Sequence, residues 1–497
     1  MLLSISIIKV VFFFLFINQG LSTEAAEKKF IAALYYSDWS HAKQLPSEIP
    51  LSRITNIYYA FASIDVKNLN IKFENIEFAL NKVISFKDDT LLEDCSNLTV
   101  NAANYKSIPW IDKYLKNVQE NVASNQKEGI SNGIIDQLRK MREINPRLKI
   151  SLSLGGAKTK NDFSKITSNK KQIKQFVANL VANVNGLGFD GIDIDWEFPG
   201  SSRDSYALDF LIKSLRTLLD KGSKSSQNTK IISLAIPLDK DVLKNYNFPE
   251  LNKYVDYFNL MGYDIAGTWS DFSGFHSQLY TDTNLHVSPT SVDDSIKYLS
   301  GMLDKAKIIL GLPTYGISFN TDKLYTKFDG CAKIQINAQN EDDEEDYQEE
   351  CIIDYIDLPP AGYHEVENLE IGASYAYDNN SDNKGLIVYD TPRISRLKAR
   401  YVFEQGLGGG LWWDSKGDTL IKNTSRSLVY NFIDELGGIS QLACNISDIA
   451  SYGVLSNSVI STHVTDGDFK SSTTGKASLS KLLILSAIIS CYFILLI

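Results

Sequence analysis

Four acids fall within eight residues of one another: Asp190, Asp193, Asp195 and Glu197, in the run Phe189-Asp190-Gly191-Ile192-Asp193-Ile194-Asp195-Trp196-Glu197. Read as an extended strand, the run puts Asp193, Asp195 and Glu197 on one face and Ile192, Ile194 and Trp196 on the other. Acids are depleted in strands, and neighbouring carboxylates raise one another's affinity for protons. A solvated strand face is therefore a poor explanation of three in a row. Carboxylates also bind hard cations. The five histidines (His41, His276, His286, His364, His463) and the cysteines, however, show no ligand spacing, and neither a metal nor a cofactor is expected. The reading that remains is acid–base chemistry: one carboxyl kept protonated by its neighbours. Asp190 has the opposite parity and is assigned a structural job.

Such a strand needs a scaffold, and the rest of the chain supplies a repeating one. Apolar β-type runs occur at 30–36, 54–64, 148–156, 189–197, 231–237, 257–264, 308–316 and 409–413. Helix-period segments at 134–144, 172–185, 205–219 and 394–404 alternate with them. Eight strands alternating with helices predict an α/β fold, a (β/α)8 TIM barrel, over residues 23–440. The surplus length falls between strands seven and eight, where 318–385 is expected to form a small α+β insertion walling the cleft. A poorly periodic stretch at 65–133, with Cys95 and Trp110, reads as a loop on the rim. Barrel enzymes place reacting groups at the C-terminal ends of strands, so Glu197 should reach farthest into the cleft.

Asp190, Asp193, Asp195 and Glu197 stand at the DxxDxDxE spacing, and with them the chain resembles the family 18 glycoside hydrolases, the chitinases. Tyr59-Ala60-Phe61-Ala62, Ser153-Leu154-Gly155-Gly156, Met261-Gly262-Tyr263-Asp264, Gly311-Leu312-Pro313-Thr314-Tyr315-Gly316 and Gly406-Leu407-Gly408-Gly409 are similar to further motifs of that family. The likeness runs from about residue 31 to 418. Two positions depart from it: Ala157, where many relatives carry Trp, and Ile317, where many carry Arg. The second leaves open which group fixes Asp264.

The resemblance implies hydrolysis of β-1,4-linked N-acetylglucosamine, in chitin or chito-oligosaccharides, with endo action favoured. Asp195 and Glu197 project from one strand about 7 Å apart and cannot straddle a sugar ring from opposite faces. The family instead uses the substrate's own N-acetyl carbonyl as nucleophile, through an oxazolinium intermediate and with retention. By position, Glu197 is then the general acid and base, and Asp195 holds the acetamide N–H. Asp193 shares a proton with Asp195, and Tyr263 donates to the acetamide oxygen. Tyr35, Trp39, Phe61, Gly156, Met261, Asp264 and Trp413 are expected to bind sugar, with Trp413 as the floor. Trp269 lines the cleft or packs a loop, and Trp196 and Trp412 belong to the core. Two other readings compete: a chitin-binding lectin, whose members usually lack the acid present here as Glu197, and an endo-β-N-acetylglucosaminidase acting on N-glycans, whose barrels generally lack the insertion.

With 497 residues, 44% of them hydrophobic, the chain can bury a large core. Its net charge of −10 comes mostly from 341–350, which holds eight acids and no base. Basic stretches interleaved with aromatics are missing, so nucleic acid is not an expected partner. Residues 1–22 read as a secretory signal, 445–474 as a Ser/Thr-rich tether and 475–497 as a GPI-attachment signal, with a plain tail anchor as the alternative. A secreted, monomeric enzyme held by lipid at the outer membrane face or cell wall is expected. Cys331 and Cys351, close in sequence and bracketing one loop, are the preferred disulfide over pairings with Cys95 or Cys444. Asn97, Asn379, Asn423 and Asn445 head N-glycosylation sequons.

Overall fold

The computed structural model describes residues 29–40, 43–81, 83–85, 130–222, 230–282, 290–332, 334, 351–378, 385–420 and 423–443. The expected signal, tether and attachment segments lie outside them. So do Cys95, Cys444, Trp110, Asn97, Asn379, Asn445 and the acidic run.

Eight parallel strands close into a barrel in chain order: β1 (Ile31–Ser37), β2 (Asn56–Asp65), β3 (Lys149–Gly155), β4 (Gly191–Asp195), β5 (Ile231–Ile236), β6 (Tyr257–Leu260), β7 (Ile308–Pro313) and β8 (Gly409–Trp413). β1 closes the ring by pairing with both neighbours, Ala33 opposite Asn56 of β2 and Ile31 opposite Gly409 of β8. The strands read as near-continuous apolar runs because both faces are covered, by helices outside and packed side chains inside. β7, for example, is buried along its whole length.

Six helices of eight or more residues are described: α1 (Ile134–Ile144), α2 (Lys170–Leu187), α3 (Ser202–Gly222), α4 (Val292–Leu299), α5 (Pro392–Gln405) and α6 (Leu428–Glu435). In α2, Ile173, Phe176, Val177, Leu180, Val184 and Leu187 form one buried stripe at helical spacing. Asn169 starts that helix by accepting from the Gln172 amide, and Gly188 ends it in the left-handed region. The chain then enters β4 through Asp190, whose carboxylate accepts from Arg142 at 2.8 Å and from the Ile150 amide at 2.9 Å. Asp190 thus ties α1 and β3 to the foot of the acidic strand, the structural job its parity indicates.

The described parts of the long rim segment contain elements the sequence does not signal. Asn70–Phe73 adds antiparallel to β2, and Val83–Ser85 pairs with Ile130–Asn132. Between β7 and β8 stands a five-stranded antiparallel sheet of Tyr315–Phe319, Ile352–Asp354, Tyr363–Asn368, Ala373–Asp378 and Leu386–Val388. Its helical part, among the described residues, is the single 3-10 turn Tyr355–Asp357. Cys331 and Cys351 are joined, Cα atoms 5.0 Å apart. Closing a loop of that length removes about 3 kcal/mol of unfolded-chain entropy.

An ionic seam joins this sheet to the barrel mouth. Asp354 accepts from Lys43 at 2.5 Å and Lys416 at 2.7 Å. Burial pushes its carboxyl up, but the two lysines hold it below the usual range. Lys416 also faces Asp414 at 3.7 Å, and Asp414 accepts from the Ser37 hydroxyl at 2.8 Å. These bonds pin the backbone directly after Trp413.

Candidate active site

The acids of β4 form a ladder from the barrel axis to the cleft. Asp193 is fully buried at the bottom. Its Oδ2 accepts from Tyr35 of β1 at 2.8 Å and Ser153 of β3 at 2.7 Å; its Oδ1 accepts from Ser233 of β5 at 2.6 Å and Asn259 of β6 at 3.1 Å. Burial pushes this carboxyl up and the four donors oppose the push. Asp195, one rung higher, is buried with no donor on Oδ1. Burial, then the charges of Glu197 and Asp193, drive it well above the ordinary carboxylate range. Glu197 lies two residues beyond the strand, partly open to the cleft, and burial followed by Asp264 raises it to about 7. Asp193 has its acceptors filled by four protein donors, and it acts on Asp195 through space.

Two glycines let the neighbouring strand come this close. Gly155 has φ +135 and Gly156 φ +85. A Cβ on Gly155 would stand 1.9 Å from the Asp195 carbonyl oxygen, and one on Gly156 would press on the Phe61 ring at 2.9 Å. The Gly156 amide donates to that same Asp195 carbonyl at 3.0 Å.

Above the ladder lies a cavity of about 280 Å³. Ten of the residues assigned to the site from sequence line it: Tyr35, Trp39, Phe61, Gly156, Asp195, Glu197, Met261, Tyr263, Asp264 and Trp413. Asp193 sits beneath. Trp413 stacks on Phe61 with ring centres 5.5 Å apart, and meets Tyr35 edge-on at 5.1 Å and Trp39 at 6.4 Å. This makes an apolar platform of the kind a sugar ring packs on. Ala157 also lines the cavity and adds no ring to it. A second cavity of about 790 Å³ shares Glu197, Met261, Tyr263 and Asp264 and continues past Phe198 to Trp269, which is 63% exposed. Glu197 therefore lines both hollows. Trp196 and Trp412 are core residues, stacked on Phe163 and packed edge-on against Phe432.

The question left by Ile317 has a structural answer. Ile317 is buried with Tyr263, Phe275 and Tyr315, and the Tyr315 hydroxyl donates to Asp264 Oδ1 at 2.5 Å. Tyr315 belongs to the Gly311–Gly316 motif, and its type alone does not announce this bond. Ser153, Ser233 and Asn259 were missed as well, although a signal existed: small polar residues inside apolar strands, with Ser153 and Ser233 in register on either side of Asp193. Tyr246 was missed entirely. It is buried without a hydrogen-bond partner for its hydroxyl among the described residues, and burial, Asp195 and Glu197 raise its pKa well above the ordinary value. Of the sequons, Asn423 is described: it is exposed, and its Oδ1 accepts from Ser425 at 2.7 Å.

Known proteins are similar to this chain in sequence and in fold. Residues 31–418 match the family described as Glycosyl hydrolases family 18. The chain is 30% identical over 447 residues to sporulation-specific chitinase 2 of Saccharomyces cerevisiae, covering 84% of this chain and 80% of that protein. It is 28% identical over 418 residues to endochitinase 1 of Metarhizium robertsii, covering 82% and 86%. In fold it is similar to the group II chitinase catalytic domain 2 of Ostrinia furnacalis, with TM-score 0.63, 22% identity and coverage of 82% and 96%. A mutant class V chitinase from Nicotiana tobaccum, solved in complex with NAG4, gives TM-score 0.60 at 20% identity, covering 82% and 99%. A chitinase-like agglutinin from Robinia pseudoacacia shares the fold at TM-score 0.59 and 18% identity, covering 82% and 99%. A family match that runs from the first residue of β1 to beyond β8 shows that this chain belongs to family 18 of the glycosyl hydrolases and is a glycoside hydrolase.

Proposed function

We propose that the protein is a chitinase that cleaves within β-1,4-linked N-acetylglucosamine chains, with retention and with the substrate's acetamide as nucleophile. One observation carries this reading: a carboxyl raised to about 7 stands where an aromatic-floored hollow meets a second hollow, so a chain can occupy both sides of it. Glu197 protonates the leaving glycosidic oxygen as the acetamide oxygen bonds to the anomeric carbon on the other face. Asp195 holds the acetamide N–H, and the Tyr263 hydroxyl steadies the carbonyl oxygen. Water then attacks the same carbon, gives its proton to Glu197 and reopens the oxazolinium ring, which returns the original anomer. Trp413 supports the distorted sugar. The names of the yeast and Metarhizium relatives favour this substrate, and the presence of Glu197 favours turnover over binding alone.

The active form carries the proton on Glu197. Because that proton is held up to about 7, kcat/KM on a chito-hexaose should be sustained below neutrality and fall tenfold per pH unit above about 7. Products should be internal fragments with the β anomer first in the NMR spectrum. A rate unchanged to pH 9, or the α anomer first, would overturn the assignment.

The apolar ends of the sequence support a secreted enzyme held by a GPI lipid. Mass spectrometry of the mature protein should find its last residue between 465 and 475. A mature peptide containing 482–497 would replace the lipid with a tail anchor.

A further inference from the structure

Beside the acid ladder lies a histidine that the mechanism above does not use. The His276 side chain is 1% exposed, and neither Nδ1 nor Nε2 has a hydrogen-bond partner among the described residues. Its place is fixed by the backbone, since the Ile265 amide donates to the His276 carbonyl at 3.0 Å. That bond sets the imidazole next to Asp264. Nδ1 is 4.0 Å from Asp264 Oδ1, the oxygen that accepts from Tyr315, and the Tyr315 ring centre is 5.1 Å from the imidazole. Behind Tyr315, Asp390 is already taken up by Lys398 and Ser277.

A buried polar ring without partners is costly. The 4.0 Å separation is too long for a hydrogen bond. It is also too short for a bridging water, whose two legs span about 4.5 Å. The Asp264 side chain is 50% exposed, so a shift of about 1 Å toward the imidazole meets solvent on its open side, and catalytic hydrogen bonds commonly tighten only when substrate is bound. Ile317, standing where many relatives have a cation, contributes no charge here.

We propose that His276 is a positioning residue: its Nδ1–H donates to Asp264 when the cleft fills and, with Tyr315, fixes the carboxylate that faces Glu197. Through that carboxylate it governs how firmly the acid keeps its proton. The inference rests on the catalytic reading of Glu197, so its test has one arm with turnover and one without.

In the first arm, His276→Leu should lower kcat on chito-hexaose on the order of tenfold, the worth of one bond to a charged group, with KM within about twofold. Its alkaline limb should move to lower pH, because a loose Asp264 no longer faces Glu197. His276→Asn, whose amide nitrogen takes the place of Nδ1, should restore both. Wild-type behaviour of the Leu variant overturns the proposal. So does equal loss in both variants with an unmoved limb, which would mark a packing role.

The second arm needs no substrate. In 15N imidazole spectra of the free protein, the resonance lost in His276→Asn should report the Nδ1–H tautomer, favoured by the carboxylate 4.0 Å away. It should change tautomer in Asp264→Asn. An unchanged resonance overturns the inference even if wild-type protein cleaves no chito-oligosaccharide, a result that would sink the functional reading on its own.

Discussion

Glu197→Gln is expected to lower kcat on chito-oligosaccharides by roughly 10³-fold or more, at the upper part of the range for a lost general acid, and to leave binding within a few-fold. The amide keeps the shape and the polarity of the side chain but has no proton to give the leaving oxygen. Binding should survive because the aromatic platform of Phe61 and Trp413 is untouched. The variant should also fold at least as well as the parent. The folded protein disfavours ionised Glu197, since its pKa is raised to about 7; the wild type therefore loses stability as pH rises from the ordinary glutamate value to about 7, a loss the amide does not share. Steady-state kinetics with titration calorimetry of chitotetraose on the same preparation would separate the effects. Turnover near wild type would remove Glu197 from its role.

A comparable loss is expected without touching the protein. An oligosaccharide with glucosamine on the non-reducing side of the scissile bond offers no acetamide oxygen, and its hydrolysis there should fall at least about 10³-fold, as an intramolecular nucleophile is lost. The protein has no ready substitute. Asp195 rises from the same strand as Glu197, and Asp193 lies beneath with four donors on its two oxygens. A thiazoline shaped like the oxazolinium ion should correspondingly inhibit, as intermediate-like molecules do. Mapping the cleavage sites in singly deacetylated oligomers by mass spectrometry gives the result. Scission after glucosamine at an unchanged rate would require a carboxylate nucleophile and contradict the ladder geometry.

The site was legible where function is written in side-chain type along one strand. Asp193, Asp195 and Glu197 alternate with core residues, so a two-residue period and the C-terminal location of barrel sites suffice to rank them. The eight strands were legible for the same reason. What could not be read depends on neighbours distant in sequence. That Ser153 and Ser233 flank Asp193 is a matter of register between β3, β4 and β5, and a serine in an apolar run carries no address. Tyr246 and His276 sit in loops, and loops have no period. The cis peptide bonds that adjoin Phe61, Glu197 and Trp413 likewise have no proline to announce them. The rim strands at Asn70–Phe73 and Val83–Ser85 are too short to stand out from polar surroundings.

The closure of the ring also sets the order of events during synthesis. β1 needs β8 as its second neighbour, Ile31 opposite Gly409, and Phe30 is bridged beyond it to Leu442. At ribosomal rates of about 5–20 residues per second, the first strand waits tens of seconds for its partner. Through that interval β1 and the latest strand made each present an unpaired edge, which invites pairing with another chain. Pairings this remote along the chain also form slowly once both partners exist. Until its final fifth emerges the nascent chain cannot close the ring, and a chain stopped before Gly409 should expose two sheet edges prone to aggregation, which recovery of such a truncation in the insoluble fraction would check.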